Sequence, residues 1–168
     1  MLIFAYGSNM NIKRLQERVA SARKYTNAYL KGYALVCNKV SKDGSAKANV
    51  TLSDNDENVV WGVLFVIDQN EKSLLDKAEG LGSGYDEKIL TFYDTAGNEH
   101  LAQIYIADEK QTNISLKPYD WYREYILSGA KQNELPDSYI EFLENLKFSV
   151  DTNTTRRNKN LAVLNSGN

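Results

Sequence analysis

The stretch Leu2-Ile3-Phe4-Ala5-Tyr6-Gly7-Ser8-Asn9-Met10 decides how this chain is read. Four apolar residues run into Tyr6 and Gly7, then into short polar side chains. That is the pattern of a buried strand closed by a tight turn. Ile12, Leu15 and Val19 follow at spacings of three and four, which predicts a helix over 11–19. Ser8 or Asn9 is the expected cap, because a short polar side chain accepts from the free amides of a first turn. A strand that feeds a helix through a glycine turn gathers backbone N–H groups and a positive dipole end at one point. Gly7 lets a ligand or a strand approach the backbone closely. The Lys-Ser/Thr of a phosphate loop is missing, and so are the further glycines of a dinucleotide fingerprint. A carboxylate or an amide is therefore a better guest than a pyrophosphate. An ordinary capped strand-to-helix turn would read the same way.

Outward from this turn, four extended segments are expected, at 25–30, 33–40, 46–52 and 59–67. The last is nearly all apolar, as in a central strand buried on both faces. Asp68, with Glu71 three residues later, opens a helix with apolar Leu74, Leu75 and Ala78, and Gly80 ends it. Strands at 88–93 and 100–106 flank a turn. Helices at 119–130 and 137–147 are split by Leu135-Pro136. The polar stretch 149–168 reads as a mobile tail with a docking segment at 161–164. The order is that of an α+β protein, with one domain over 1–148 and a mostly antiparallel, closed or nearly closed sheet flanked by helices.

At 168 residues, 42% of them hydrophobic, the chain is long enough for one sizeable core. Its net charge of −2 argues against a dedicated nucleic-acid or membrane-surface binder. No basic leader and no long apolar run precede the first strand, so a cytoplasmic protein without a membrane span is expected. Cys37 is the single cysteine, which rules out an intrachain disulfide and favours a reducing compartment. His100 is the single histidine, so a Cys/His zinc site cannot be assembled. A proton carrier, if this is an enzyme, is expected among carboxylate, Tyr or Lys side chains.

Two further regions carry chemistry. In Leu74-Leu75-Asp76-Lys77-Ala78-Glu79-Gly80, Glu79 falls in the last helical turn, where the dipole disfavours a negative charge. A carboxyl so placed suits a proton carrier, and Gly80, Gly82 and Gly84 give a loop with little bulk that can wrap a small ligand. A solvated Glu before a flexible loop is the plainer reading. Tyr105 in a strand and Tyr122 in the next helix offer hydroxyls on apolar bodies, although core packing explains such a pattern equally well. Asp76 and Glu87 read as surface residues.

Tyr6-Gly7-Ser8-Asn9 after the first strand and Leu75-Asp76-x-x-Glu79-Gly80-x-x-x-Gly84 together resemble the γ-glutamylcyclotransferases. So does the far end, with Tyr122-x-x-x-Ile126-x-x-Gly129-Ala130-Lys131, Leu135-Pro136 and Tyr139. The resemblance covers roughly residues 3–147 and implies a small mixed β-barrel with helices outside. It implies an intramolecular reaction: the free α-amine of a γ-glutamyl group attacks its own γ-carbonyl and releases 5-oxoproline and an amine. It implies no cofactor and no metal. Glu79 matches the family's catalytic carboxylate, Tyr6, Gly7, Ser8, Asn9 and Met10 its glutamyl-holding loop, and Tyr105 and Tyr122 its pocket tyrosines. Many members place a substrate-facing Tyr seven residues after the Glu; here that position is Asp86, and Tyr85 precedes it. One of the two is expected to face the pocket. The leaving group stays open: an amino acid, an amine or a protected biosynthetic intermediate. A non-catalytic binding module on the same fold is the rival reading. The expected partner is a small γ-glutamyl substrate bound by a monomer or a homodimer.

Overall fold

The computed structural model describes residues 1–165. The apolar run at the N-terminus forms β1 (Leu2–Ala5), and every later barrel strand is placed relative to it. β1 runs antiparallel to β5 (Val59–Val66), with Leu2 opposite Val66 and Ala5 opposite Val63. It runs parallel to β7 (Glu99–Ala107), with Ile3 opposite Gln103. β2 (Arg23–Lys31) and β6 (Tyr85–Asp94) complete a closed barrel in the order β1-β5-β2-β6-β7. Strand closure removes the free edges of an open sheet. The interior is apolar, with Phe4 stacked on Phe92 at 4.2 Å between ring centroids.

β3 (Tyr33–Val40) and β4 (Ala46–Leu52) lie outside the barrel as a separate two-stranded sheet. The sequence placed both strands correctly but could not say that they leave the barrel. Helix α1 (Ile12–Gln16) is shorter than the apolar spacing promised, and α2 (Lys72–Glu79) follows a 3₁₀ turn over Gln69–Glu71. Glu71 does not complete a capping box. Its carboxylate accepts from the backbone N and the hydroxyl of Ser21, at 2.9 and 2.7 Å. Helix α3 (Asp120–Gln132) packs under the turn at Ser8–Met10, and α4 (Asp137–Glu144) packs on α3.

The polar stretch after 148 corrects the expectation of a mobile tail. Thr154–Asn165 is a helix, α5, seated against α3. Its anchors are polar, which is why an apolar-periodicity reading passed over it. The Trp121 indole donates to Asp151 at 2.8 Å, and Arg156 grips the same carboxylate through two nitrogens at 2.6 Å. Arg157 pairs with Asp120, and the Tyr125 hydroxyl donates to the carbonyl of Asn160 at 3.0 Å. Leu161, Val163 and Leu164 dock on the core, as expected for 161–164. Residues 166–168 of that stretch lie outside the described residues. Among the described residues no helix is long and apolar enough to cross a membrane.

Candidate active site

β1 ends by delivering Tyr6 to one mouth of the barrel. The chain then turns at Gly7 and winds through a 3₁₀ turn, Ser8–Met10. A Cβ on Gly7 would stand 3.1 Å from the Ala48 side chain and 3.3 Å from the Tyr122 hydroxyl, so this position is kept bare by close approach. The helix cap is neither Ser8 nor Asn9. Asn11 caps α1, accepting from the backbone N of Arg14 at 3.1 Å. Asn9 is thereby free to reach across to α2, where its amide donates to Oε1 of Glu79 at 2.9 Å.

Glu79 is the last residue of α2, and Gly80 stops the helix there in a left-handed conformation, φ 70°. Its side chain is 14% exposed. Arg18, just beyond α1, forms an ion pair with the same Oε1 and also donates to the Asn9 side-chain oxygen at 2.8 Å. Both bonds end on Oε1, and Oε2 accepts none of the hydrogen bonds found among the described residues.

Four buried tyrosines complete the cleft. Tyr6 donates to the carbonyl of Tyr105 at 2.6 Å, and Tyr85 donates to the carbonyl of Ala48 at 2.7 Å. Tyr105 donates to Asp76 at 2.6 Å, and Lys72 holds that carboxylate from the other side at 2.8 Å. Tyr122 differs: its oxygen accepts from the Ala48 N–H at 3.1 Å. Its own proton is therefore left for a ligand. Burial raises the pKa of all four phenols, Tyr122 to about 12, so each stays a neutral donor near neutral pH. The cleft holds about 350 Å³ of empty space, part of it open to solvent, between these rings, Glu79 and the backbone at Gly7 and Ser8.

The sequence matches the AIG2-like family over residues 59–143. It is 33% identical over 153 residues to the γ-glutamylcyclotransferase of Bos taurus, covering 87% of this chain and 78% of the relative. The chain belongs to this family. The γ-glutamylcyclotransferase of Homo sapiens is 32% identical over 155 residues, covering 87% and 77% of the two chains. A solved γ-glutamyl cyclotransferase structure superposes with a TM-score of 0.86 at 25% identity, covering 99% of each chain.

The candidate site residues converge here with one exception. Tyr6, Gly7, Ser8, Asn9, Glu79, Tyr85, Tyr105 and Tyr122 all line one cleft. Met10 does not. It is fully buried in the core, and its carbonyl accepts from Asn133 of the segment after α3 at 3.0 Å. An apolar side chain at the end of the turn goes inward, and the turn's polar members face the cleft. Of the pair left open, Tyr85 is buried in the cleft wall and Asp86 is exposed. Two participants were missed. Arg18 sits in the turn that follows α1, four residues after Arg14. Asp76 precedes Glu79 by three residues, on the same face of α2, and is not the free surface carboxylate expected. Among the described residues no three His, Cys, Asp or Glu side chains group as metal ligands. His100 is engaged by Asp94 at 3.0 Å, and burial pushes the Cys37 thiol up to about 11.

Proposed function

We propose that this chain is a γ-glutamylcyclotransferase in which Glu79 is the proton carrier. The substrate is a small γ-glutamyl compound, and the products are 5-oxoproline and the released amine. The α-amine arrives protonated. Glu79 takes a proton from it, the amine nitrogen bonds to the γ-carbonyl carbon, and the ring closes. As the ring closes, the carbonyl's electron pair moves onto its oxygen, and it returns as the bond from that carbon to the leaving nitrogen breaks. The ring nitrogen gives up its second proton, Glu79 returns the first to the leaving nitrogen, and the amine departs carrying both. One carboxylate so placed serves both steps, typically for 10²–10⁴-fold in rate, about the figure for general acid–base catalysis. Nucleophile and electrophile are already tethered, so the cleft's main task is to fold the glutamyl chain into an attacking shape. Orientation of this kind supplies up to ~7–11 kcal/mol.

The observation that carries this reading is the half-engaged carboxylate: Glu79 is fixed through Oε1 by Asn9 and Arg18 and keeps Oε2 for a substrate. Tyr122 supports it with an uncommitted hydroxyl proton for a substrate oxygen. Tyr6, Tyr85 and Tyr105 shape the wall, and the turn at Gly7–Asn9 closes over the glutamyl part. The test is incubation with γ-glutamyl dipeptides, γ-glutamyl amines and glutathione, reading 5-oxoproline. Release of 5-oxoproline from at least one of them is expected. No release from any would overturn the reading.

A further inference from the structure

Glu79 lines a second, outer chamber as well as the tyrosine cleft, and the two share Ser8, Glu79, Tyr85 and Tyr122. The chamber spans about 660 Å³, open solvent included, and its wall is basic: Arg14, Arg18, Lys39 and Lys47 face Asp43 and Glu79. The pairings are unequal. Lys47 donates to Asp43 at 2.7 Å, and Arg18 is spent on Glu79. Arg14 and Lys39 have no carboxylate partner among the described residues. Arg14 lies over the Tyr125 ring at 4.4 Å, and its Nε is buried without a hydrogen-bond partner. Lys39 stands over the Tyr85 ring at 5.0 Å. Burial lowers the pKa of both; Arg18 beside Arg14 lowers it further there, and Glu79 and Asp43 offset only part of the loss at Lys39. Such a group is costly unless an anion joins it. Two more lysines, Lys42 and Lys77, line the adjoining surface beside Glu79.

The inner cleft has no cationic side chain of its own, and the turn at Gly7 and Ser8 and the Tyr122 hydroxyl are its polar groups for the zwitterionic glutamyl unit. The outer chamber begins where the scissile bond must lie, beside Glu79. A leaving amino acid with one carboxylate would neutralise one of the two free cations. A leaving group with two carboxylates would neutralise both. We propose that the outer chamber is the leaving-group subsite and that Arg14 and Lys39 select a dicarboxylate, an acidic amino acid joined through its nitrogen to the γ-glutamyl unit. This rests on the cyclotransferase reading and adds a substrate preference to it.

The test compares kcat/KM of the full chain for γ-glutamylglutamate, γ-glutamylalanine and γ-glutamylethylamide, whose leaving groups carry two, one and no carboxylates. Rates are expected to fall in that order, by roughly fivefold to tenfold per lost carboxylate, about one half-buried ion pair. Lys39→Gln and Arg14→Gln should each shrink the ratio between the first two substrates, mainly through KM, and Lys39→Arg should restore it. High salt should compress the same ratio. A wild-type chain with equal or reversed preference overturns the proposal, and so does a preference that survives both glutamine variants. If a variant fails to fold, the wild-type comparison alone still decides through the first of these outcomes. Failure of the cyclotransferase reading would look different, with no 5-oxoproline from any of the three.

Discussion

Two guanidinium-bound carboxylates, Glu79 and Asp151, use the same partner chemistry to opposite ends. Asp151 is fully buried, and both its oxygens are occupied: Oδ2 by Trp121 and Arg156, Oδ1 by Arg156 and the backbone N of Asn153. The Arg156 guanidinium holds its carboxyl well below the usual carboxylate range. Glu79 meets Arg18 through one oxygen only and remains partly exposed at a cleft. A saturated carboxylate is an anchor, because it has nothing left to offer. A half-saturated one in a cleft is oriented but still free to act.

The sharpest way to break this comparison is Glu79→Gln. The amide keeps the shape and still accepts from Asn9 and Arg18, but it moves no proton. Loss of 5-oxoproline formation by about 10²–10⁴-fold is expected, with an unchanged circular-dichroism spectrum. Near wild-type turnover would remove Glu79 from the mechanism. Asp151→Ala should do the reverse. It strands Arg156 and the Trp121 N–H, and the melting temperature is expected to drop by roughly 5–10 °C. Activity per folded molecule at low temperature should hold, and a loss there would mean that α5 reaches the site. Next in size is Tyr122→Phe, which deletes the one uncommitted phenol proton among the four cleft tyrosines and the acceptor for Ala48. A fall in kcat/KM of about tenfold is expected, the worth of one good hydrogen bond in a dry site.

The smallest effect appears only in acid. Burial disfavours ionised Asp43, but hydrogen bonds from Lys47 and Ser45 outweigh it and bring its pKa down to about 2. A depressed folded pKa means that the stabilisation is complete above the unfolded value of ~3.9 and is lost as pH falls through the folded one. Denaturant midpoints should therefore hold from neutrality to about pH 5 and decline between about pH 4 and 2. In Asp43→Asn, the acid decline should shrink. An unaltered decline would assign it to other carboxylates such as Asp151.

The elements of the fold were legible because their signals are local. Alternation in 46–52, the apolar run at 59–67 and Gly80 as a helix stop each act within a few residues. The cleft was legible residue by residue through the family motif, and Tyr6, Tyr85, Tyr105, Tyr122 and Glu79 do meet. Illegible were the contacts that only tertiary structure creates. Arg18 and Asp76 look like solvated charges until a second helix or a strand faces them. The first half of helix α5 was hidden for a related reason: its anchors are Arg156, Arg157 and Asn160, and its apolar residues come only at 161–164.

Ala48 contributes no functional side chain, yet its peptide N–H and C=O brace Tyr122 and Tyr85, one from a helix and one from a barrel strand. β4 thus works as a ruler laid across the mouth. Slipping it by one residue against β3 would turn these two groups the other way and disconnect both phenols in a single step. Ala48 lies opposite Cys37, and the register shift between Cys37 and Lys39 falls beside that pair. The hairpin's alignment is therefore written into the shape of the cleft, and a change at the bulge would be felt by α3 through Tyr122.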